Sequence, residues 1–138
     1  MNQNLKRNLI VAGVILFLPS LLVLDRARAF QKYICSPKPK SVSNVQYEDN
    51  GFFMMLFEPV VKIGFSASKN DISTILEKKK WQFIEEDSNG FSLGRDGPPW
   101  WKPHSGTLYR IVRPEIDVTE FLLIDQTGTN VFYLLWGI

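Results

Sequence analysis

Cysteine and histidine are almost absent from this chain: Cys35 and His104 are the only examples in 138 residues. A single thiol cannot form an intrachain disulfide, and a multi-cysteine zinc site is excluded with it. His104 has no cysteine partner and no acidic residue at a metal-ligand spacing, so neither a metal nor another cofactor is expected. Phosphate-binding glycine patterns are also missing. Gly90, Gly94 and Gly97 are not spaced as G-x-G-x-x-G, and no G-K-[ST] follows them. They read as turn residues. No βαβ alternation and no internal repeat is visible, which excludes a doubly wound sheet and a solenoid.

Positive charge is scarce where a nucleic-acid binder would need it. Residues 1–40 carry seven basic and one acidic side chain, whereas residues 41–138 carry nine basic and thirteen acidic ones. The net +2 of the whole chain therefore describes its first forty residues. The mildly acidic remainder lacks the basic patch that displaces counterions from phosphate, and no nucleic-acid partner is expected.

What the chain does have is an uncharged apolar run, Leu9–Leu24, between basic flanks. Its sixteen residues would span roughly 24 Å as a helix at about 1.5 Å per residue. That lies between a signal-peptide core and a straight membrane span. Lys6 and Arg7 precede the run, and Ala27-Arg28-Ala29 places small residues where a signal peptidase reads them, with the cut before Phe30. Pro19 would kink a helix near the end of the run. The order of basic, apolar and small-residue regions favours export. Arg26, Arg28, Lys32, Lys38 and Lys40 pull the other way, since they favour a cytoplasmic-facing domain if the segment stays in the bilayer. The expected organisation is residues 1–29 as signal peptide or single membrane anchor, 30–43 as a Pro/Lys-rich tether, and 44–138 as one small domain. The domain would lie outside the cytoplasm, held at the cell membrane or released after cleavage near Ala29. Cys35 would be an incidental thiol beside the membrane.

Within the domain the hydrophobic period changes several times. Val45 and Tyr47 lead to Asn50-Gly51, a hairpin signal because both residue types tolerate positive φ. Phe52–Phe57 is a continuous apolar run and reads as a buried strand. Pro59 interrupts it, and the alternation of Val61, Ile63 and Phe65 resumes it. Ser68 and Asp71 resemble a capping box, and Ile72, Ile75 and Leu76 form a helical stripe that ends in Lys78-Lys79-Lys80. Trp81–Glu86, Thr107–Val112, Phe121–Asp125 and Val131–Trp136 read as strands, with a short strand at Phe91 and Leu93. This order predicts an α+β fold, with a single helix packed on one face of a twisted antiparallel sheet behind the N-terminal helix. The apolar end Leu134–Ile138 predicts a central or covered last strand.

Asp87–Gly106 stands apart as a twenty-residue stretch rich in glycine, proline and polar groups, longer than most loops in compact domains. Its centre, Gly97-Pro98-Pro99-Trp100-Trp101-Lys102-Pro103-His104, sets two rigid aromatic rings on a stiffened backbone. Such rings anchor protein contacts or stack on sugar faces, but they also serve burial. The candidate binding residues are Arg95, Asp96, Trp100, Trp101 and His104. Asp96, Ser105 and His104 are triad residue types without a supporting frame. Glu85 and Glu86 adjoin along a strand and so face opposite ways, which makes paired acid–base work unlike them. No catalytic residue is assigned. The expectation is a non-enzymatic envelope protein whose domain binds a protein partner or supports an assembly. The alternative is a module that binds a glycan or small ligand on Trp100 or Trp101.

Overall fold

The computed structural model describes residues 26–51, 57–90, 93–94 and 96–137. Leu9–Leu24 lies outside them, and among the described residues no helix is long and apolar enough to cross a membrane. Six antiparallel strands form one sheet: β1 (Ser43–Asp49), β2 (Val60–Ser66), β3 (Gln82–Asp87), β4 (Gly106–Arg113), β5 (Val118–Asp125) and β6 (Asn130–Gly137), in the order β1-β2-β6-β5-β4-β3. Helix α1 covers residues 26–33, and helix α2 is Lys69–Lys79. The domain is thus α+β, with two helices among the described residues where the sequence predicts one. The last strand lies between β2 and β5, with Tyr133 opposite both Ile63 and Leu122. Its central position explains its apolar character.

Period-two alternation assigns the faces. Val61, Ile63 and Phe65 of β2, Val131 and Tyr133 of β6, and Leu122 of β5 form one core with Ile72 and Ile75 of α2. Ser68 caps α2 by accepting from the Asp71 backbone N–H at 3.2 Å. The reciprocal half of a capping box is absent, because the Asp71 carboxylate turns away from the Ser68 N–H. It accepts instead from the Ser41 hydroxyl at 2.6 Å and the Ser41 backbone at 3.1 Å, while Ser41 Oγ accepts from the Ser68 backbone. These bonds hold the Asp71 carboxyl below its ordinary range. They also tie the segment before β1 to the start of α2.

That segment is not the extended tether expected over 30–43. Phe30, Ile34, Cys35 and Val42 are all buried, and the Phe30 ring meets Phe65 edge-on at 5.0 Å. The physical reason is a short helical stripe. Ala29, Phe30, Tyr33 and Ile34 share one face of α1, and Arg28, Gln31 and Lys32 the other, so the apolar face packs on the sheet. Cys35 is part of this core, where burial pushes its thiol up.

The Asn50-Gly51 hairpin also differs from expectation. Phe52–Leu56 lies outside the described residues, and β1 pairs with β2 beyond it. Only Gly51 takes a positive φ, of 85°. Asn50 instead spans the loop mouth: its side chain donates to the Glu58 carbonyl and accepts from the Val60 N–H. Phe57 is turned out to solvent. Phe91 lies outside the described residues, and Leu93 is not in a strand.

Candidate functional site

Among the described residues, both α-helices pack on the first face of the sheet and neither on the opposite one. The opposite face is covered by the segment between β3 and β4. Leu93 and Trp101 from this segment pack on Leu108, Leu123 and Leu134, with Trp100, Phe121 and Phe132 at the edges of the cluster. A turn closed by the Trp101 N–H on the Pro98 carbonyl, at 2.8 Å, sets the two rings at different depths. Trp101 is 2% exposed. Its ring stands edge-on to Phe132 at 5.6 Å, and its indole N–H donates to the Gly94 carbonyl at 3.3 Å. Gly97 is required for this approach, since a Cβ there would lie 2.8 Å from the Trp101 side chain. Lys62 binds the loop from below. Its ammonium stands 5.5 Å from the Trp101 ring centroid and donates to the Asp96 carbonyl.

Trp100 is half-buried and lies against Gly64, where a Cβ would sit 3.2 Å from its ring. Beside it opens a cleft of about 250 Å³ lined by Trp100, Lys102 and His104 from the loop, by Asn44 and Gln46 from β1, and by Ser66 and Asn130 from the adjoining strand ends. Asn44 adopts φ 52°, a conformation asparagine tolerates better than most residues, at a register shift between Ser43 and Gln46. The shift re-aims the β1 side chains at the cleft mouth. Ser66 donates to Asn130 at 2.9 Å, and Asn130 donates to Asp125 at 2.9 Å. Burial acts to raise the Asp125 carboxyl, but hydrogen bonds from Thr127, Asn130 and Thr129 outweigh it and hold the group below its ordinary range. The cleft therefore combines the Trp100 ring, with Phe132 beside it, with amides, a hydroxyl, a lysine, an imidazole and the Asp125 carboxylate.

Of the sequence candidates, Trp100 and His104 meet in this cleft. Trp101 is a core residue and offers no ring face to a ligand. Asp96 is exposed and does not line the cleft, so it is not brought to His104. Arg95 lies outside the described residues. Glu85 and Glu86 are exposed, while Asp87 is buried. Among the described residues no three His, Cys, Asp or Glu side chains gather to hold a metal. Sequence reasoning misses Asn44, Gln46, Ser66 and Asn130, because strand pairing over long separations assembles them and no local motif marks them. It also passes over Gly90-Phe91-Ser92-Leu93-Gly94, which has the G-x-S-x-G spacing of a nucleophile elbow. That motif requires a strand–turn–helix frame. Here the spacing follows β3 of an antiparallel sheet and leads to β4, with Phe91 and Ser92 outside the described residues.

A second polar cluster is buried on the helix face. Glu120 is 3% exposed. Its carboxylate accepts from Lys79 Nζ at 2.6 Å, Arg113 Nε at 2.7 Å and Tyr133 Oη at 2.8 Å. Burial acts to raise the Glu120 carboxyl, but Lys79 above all, then Tyr133 and Arg113, hold it below its ordinary range. Lys79 also donates to the Tyr33 carbonyl, which links α1, α2 and β5 through one ammonium group. A period-two signal was present in the sequence: Glu120 falls on the inward face of β5, between Val118 and Leu122. No family model, curated protein or solved structure matches the chain.

Proposed function

We propose that this protein is a non-enzymatic binding module, delivered to or across the cell membrane by residues 1–29, whose cleft beside Trp100 takes a polyhydroxylated ligand such as an envelope glycan. The observation that carries this reading is the half-buried Trp100 ring, backed by Gly64 and facing a cleft that also presents Asn44, Gln46, Lys102 and His104. A sugar ring offers an apolar C–H face to an indole and hydroxyls at its rim to amides and cations. Such sites combine an aromatic platform with a few fixed polar groups. The test is tryptophan fluorescence of the full-length protein in detergent, with Trp136→Phe to remove the exposed reporter, titrated with soluble cell-wall fragments. A saturable shift that Gln46→Ala weakens supports the reading. No shift at millimolar ligand sinks it.

A second reading, contact with a protein partner, is favoured by the opposite end of the same sheet face. Val60, Trp136, Thr119 and Val112 lie in one row across four strands, and Trp136 and Val112 are more than half exposed. This is a better protein-contact surface than the loop, because the loop buries Trp101. Cross-linking in membranes separates the readings. Loss of a cross-linked partner in Trp136→Ser/Val112→Ser supports contact there, and an unchanged pattern counts against it.

A further inference from the structure

We propose that the cleft beside Arg113 binds an amphiphile, with its anionic head on the Arg113 guanidinium and its apolar chain along Tyr33 and Ile116. This site is separate from the Trp100 cleft and does not rest on the reading given for it. The cleft measures about 260 Å³ and lies between α1, the turn Pro114–Ile116 and the adjoining ends of β5 and β6. Its walls are mostly apolar, formed by Tyr33, Pro59, Ile116, Val118 and Leu135. Its polar groups are strongly biased to one sign. Lys32, Lys79 and Arg113 line it against the single carboxylate of Glu120. Glu115 and Asp117 of the adjoining turn are exposed and do not line it.

Two positive charges thus stand uncompensated in an apolar cleft among the described residues. An apolar wall alone would take a neutral ligand, and exposed lysines alone would be solvated. The combination selects a negative head on an apolar body. Arg113 supplies the directional contact. A guanidinium carries five N–H donors, and the bond to Glu120 uses only the one on Nε. The side chain is 40% exposed, and among the described residues its terminal donors are open to a carboxylate or phosphate fork. Glu120 cannot compete for them, because it is anchored by Lys79 and Tyr133 as well, and its bond to Nε fixes the guanidinium plane before any ligand arrives. Ile116 is 60% exposed at the rim. One exposed isoleucine is unremarkable by itself, but here it extends a continuous apolar wall outward. The volume is slightly under the roughly 300–1,000 Å³ of drug-sized sites. The cleft therefore holds the head and first carbons, and the rest of the chain leaves past Ile116.

The experiment uses the full-length chain in zwitterionic nanodiscs and follows the Arg113 Nε–H signal by NMR. Octanoate is the probe, and octanol and octyltrimethylammonium are controls. The expected result is a saturable shift with octanoate alone. Ile116→Ser, which removes no core contact, should raise the half-saturating octanoate concentration roughly fivefold through lost apolar contact. Doping the nanodiscs with phosphatidylglycerol distinguishes the sources. A shift without octanoate identifies a membrane lipid as the donor of the head group, and a shift with octanoate alone identifies a free acid. The proposal is overturned if neither anion moves the signal, if octanol moves it equally, or if Ile116→Ser binds octanoate as the parent does.

Discussion

Tyr133 donates its hydroxyl proton to Glu120 at 2.8 Å, and both groups are buried beneath α2. Glu120 thereby completes a set of three donors drawn from α2, β4 and β6. A buried carboxylate is tolerated only when so satisfied. The cluster fixes the C-terminal end of α2 to the centre of the sheet, and its acid–base behaviour is the first property that can be tested.

Glu120→Ala should destabilise the fold by about 3–5 kcal/mol, because it leaves the Lys79 charge partly buried without its partner. The pH dependence has a definite sign. The folded Glu120 carboxyl titrates below its unfolded value. Its contribution is therefore complete above an unfolded glutamate pKa of about 4.3 and is lost as pH falls through the lower folded value. Asp71 and Asp125 are shifted the same way, so the parent loses stability in acid through all three. Urea denaturation at stepped pH should show a shallower acid slope in Glu120→Gln than in the parent. Equal slopes would refute the assignment.

The adjacent tryptophans should separate by role. Trp101→Ala removes the centre of the second core and should cost about 3–5 kcal/mol. Trp100→Ala, at the edge of that core, should cost about 1 kcal/mol while abolishing any ligand signal from the cleft. Thermal melts of the two variants check the ranking. A larger loss for Trp100→Ala would place the two rings at the wrong depths.

Phe30→Ala should destabilise by about 3–5 kcal/mol, since its ring is fully buried against Phe65. A chain starting at Ser36, which lacks α1, should not fold, whereas one starting at Phe30 keeps the buried Phe30 and Ile34 and should fold with reduced stability. Circular dichroism melts of the two truncations decide this. Full stability in the chain from Ser36 would return α1 to the role of a tether.

Removing the last six residues deletes Tyr133 and Leu134 and cuts the strand between β2 and β5. Cooperative unfolding should be lost entirely. A truncated protein with an unchanged melting transition would contradict the central placement of β6.

Much of the strand content was readable because alternation reports a local property, the side of the sheet each residue faces. Val61–Ile63–Phe65 and Val131–Tyr133 declare their inward face without any partner being known. The α2 start was equally local, although the Asp71 side chain bonds Ser41 and does not complete the capping box. α1 is not legible in the sequence because its stripe is short and sits among basic residues and prolines, whose charge and stiffness mask Ala29, Phe30, Tyr33 and Ile34. The Trp100 cleft was half visible. Its loop residues form a conspicuous run, while Asn44, Gln46, Ser66 and Asn130 arrive from strands far apart in the chain.

The α+β class, a central or covered last strand, the charge division and the unusual Trp-bearing stretch are legible before the chain folds, since composition, periodicity and terminal apolarity are local properties. Folding alone sets which of two adjacent tryptophans is core and which borders the cleft, brings Phe30, Ile34 and Cys35 into the core, and gathers Lys79, Arg113 and Tyr133 on Glu120. One cause underlies all three. Burial and ion pairing depend on contacts between residues distant in sequence, and those contacts exist only once the strands have chosen their partners.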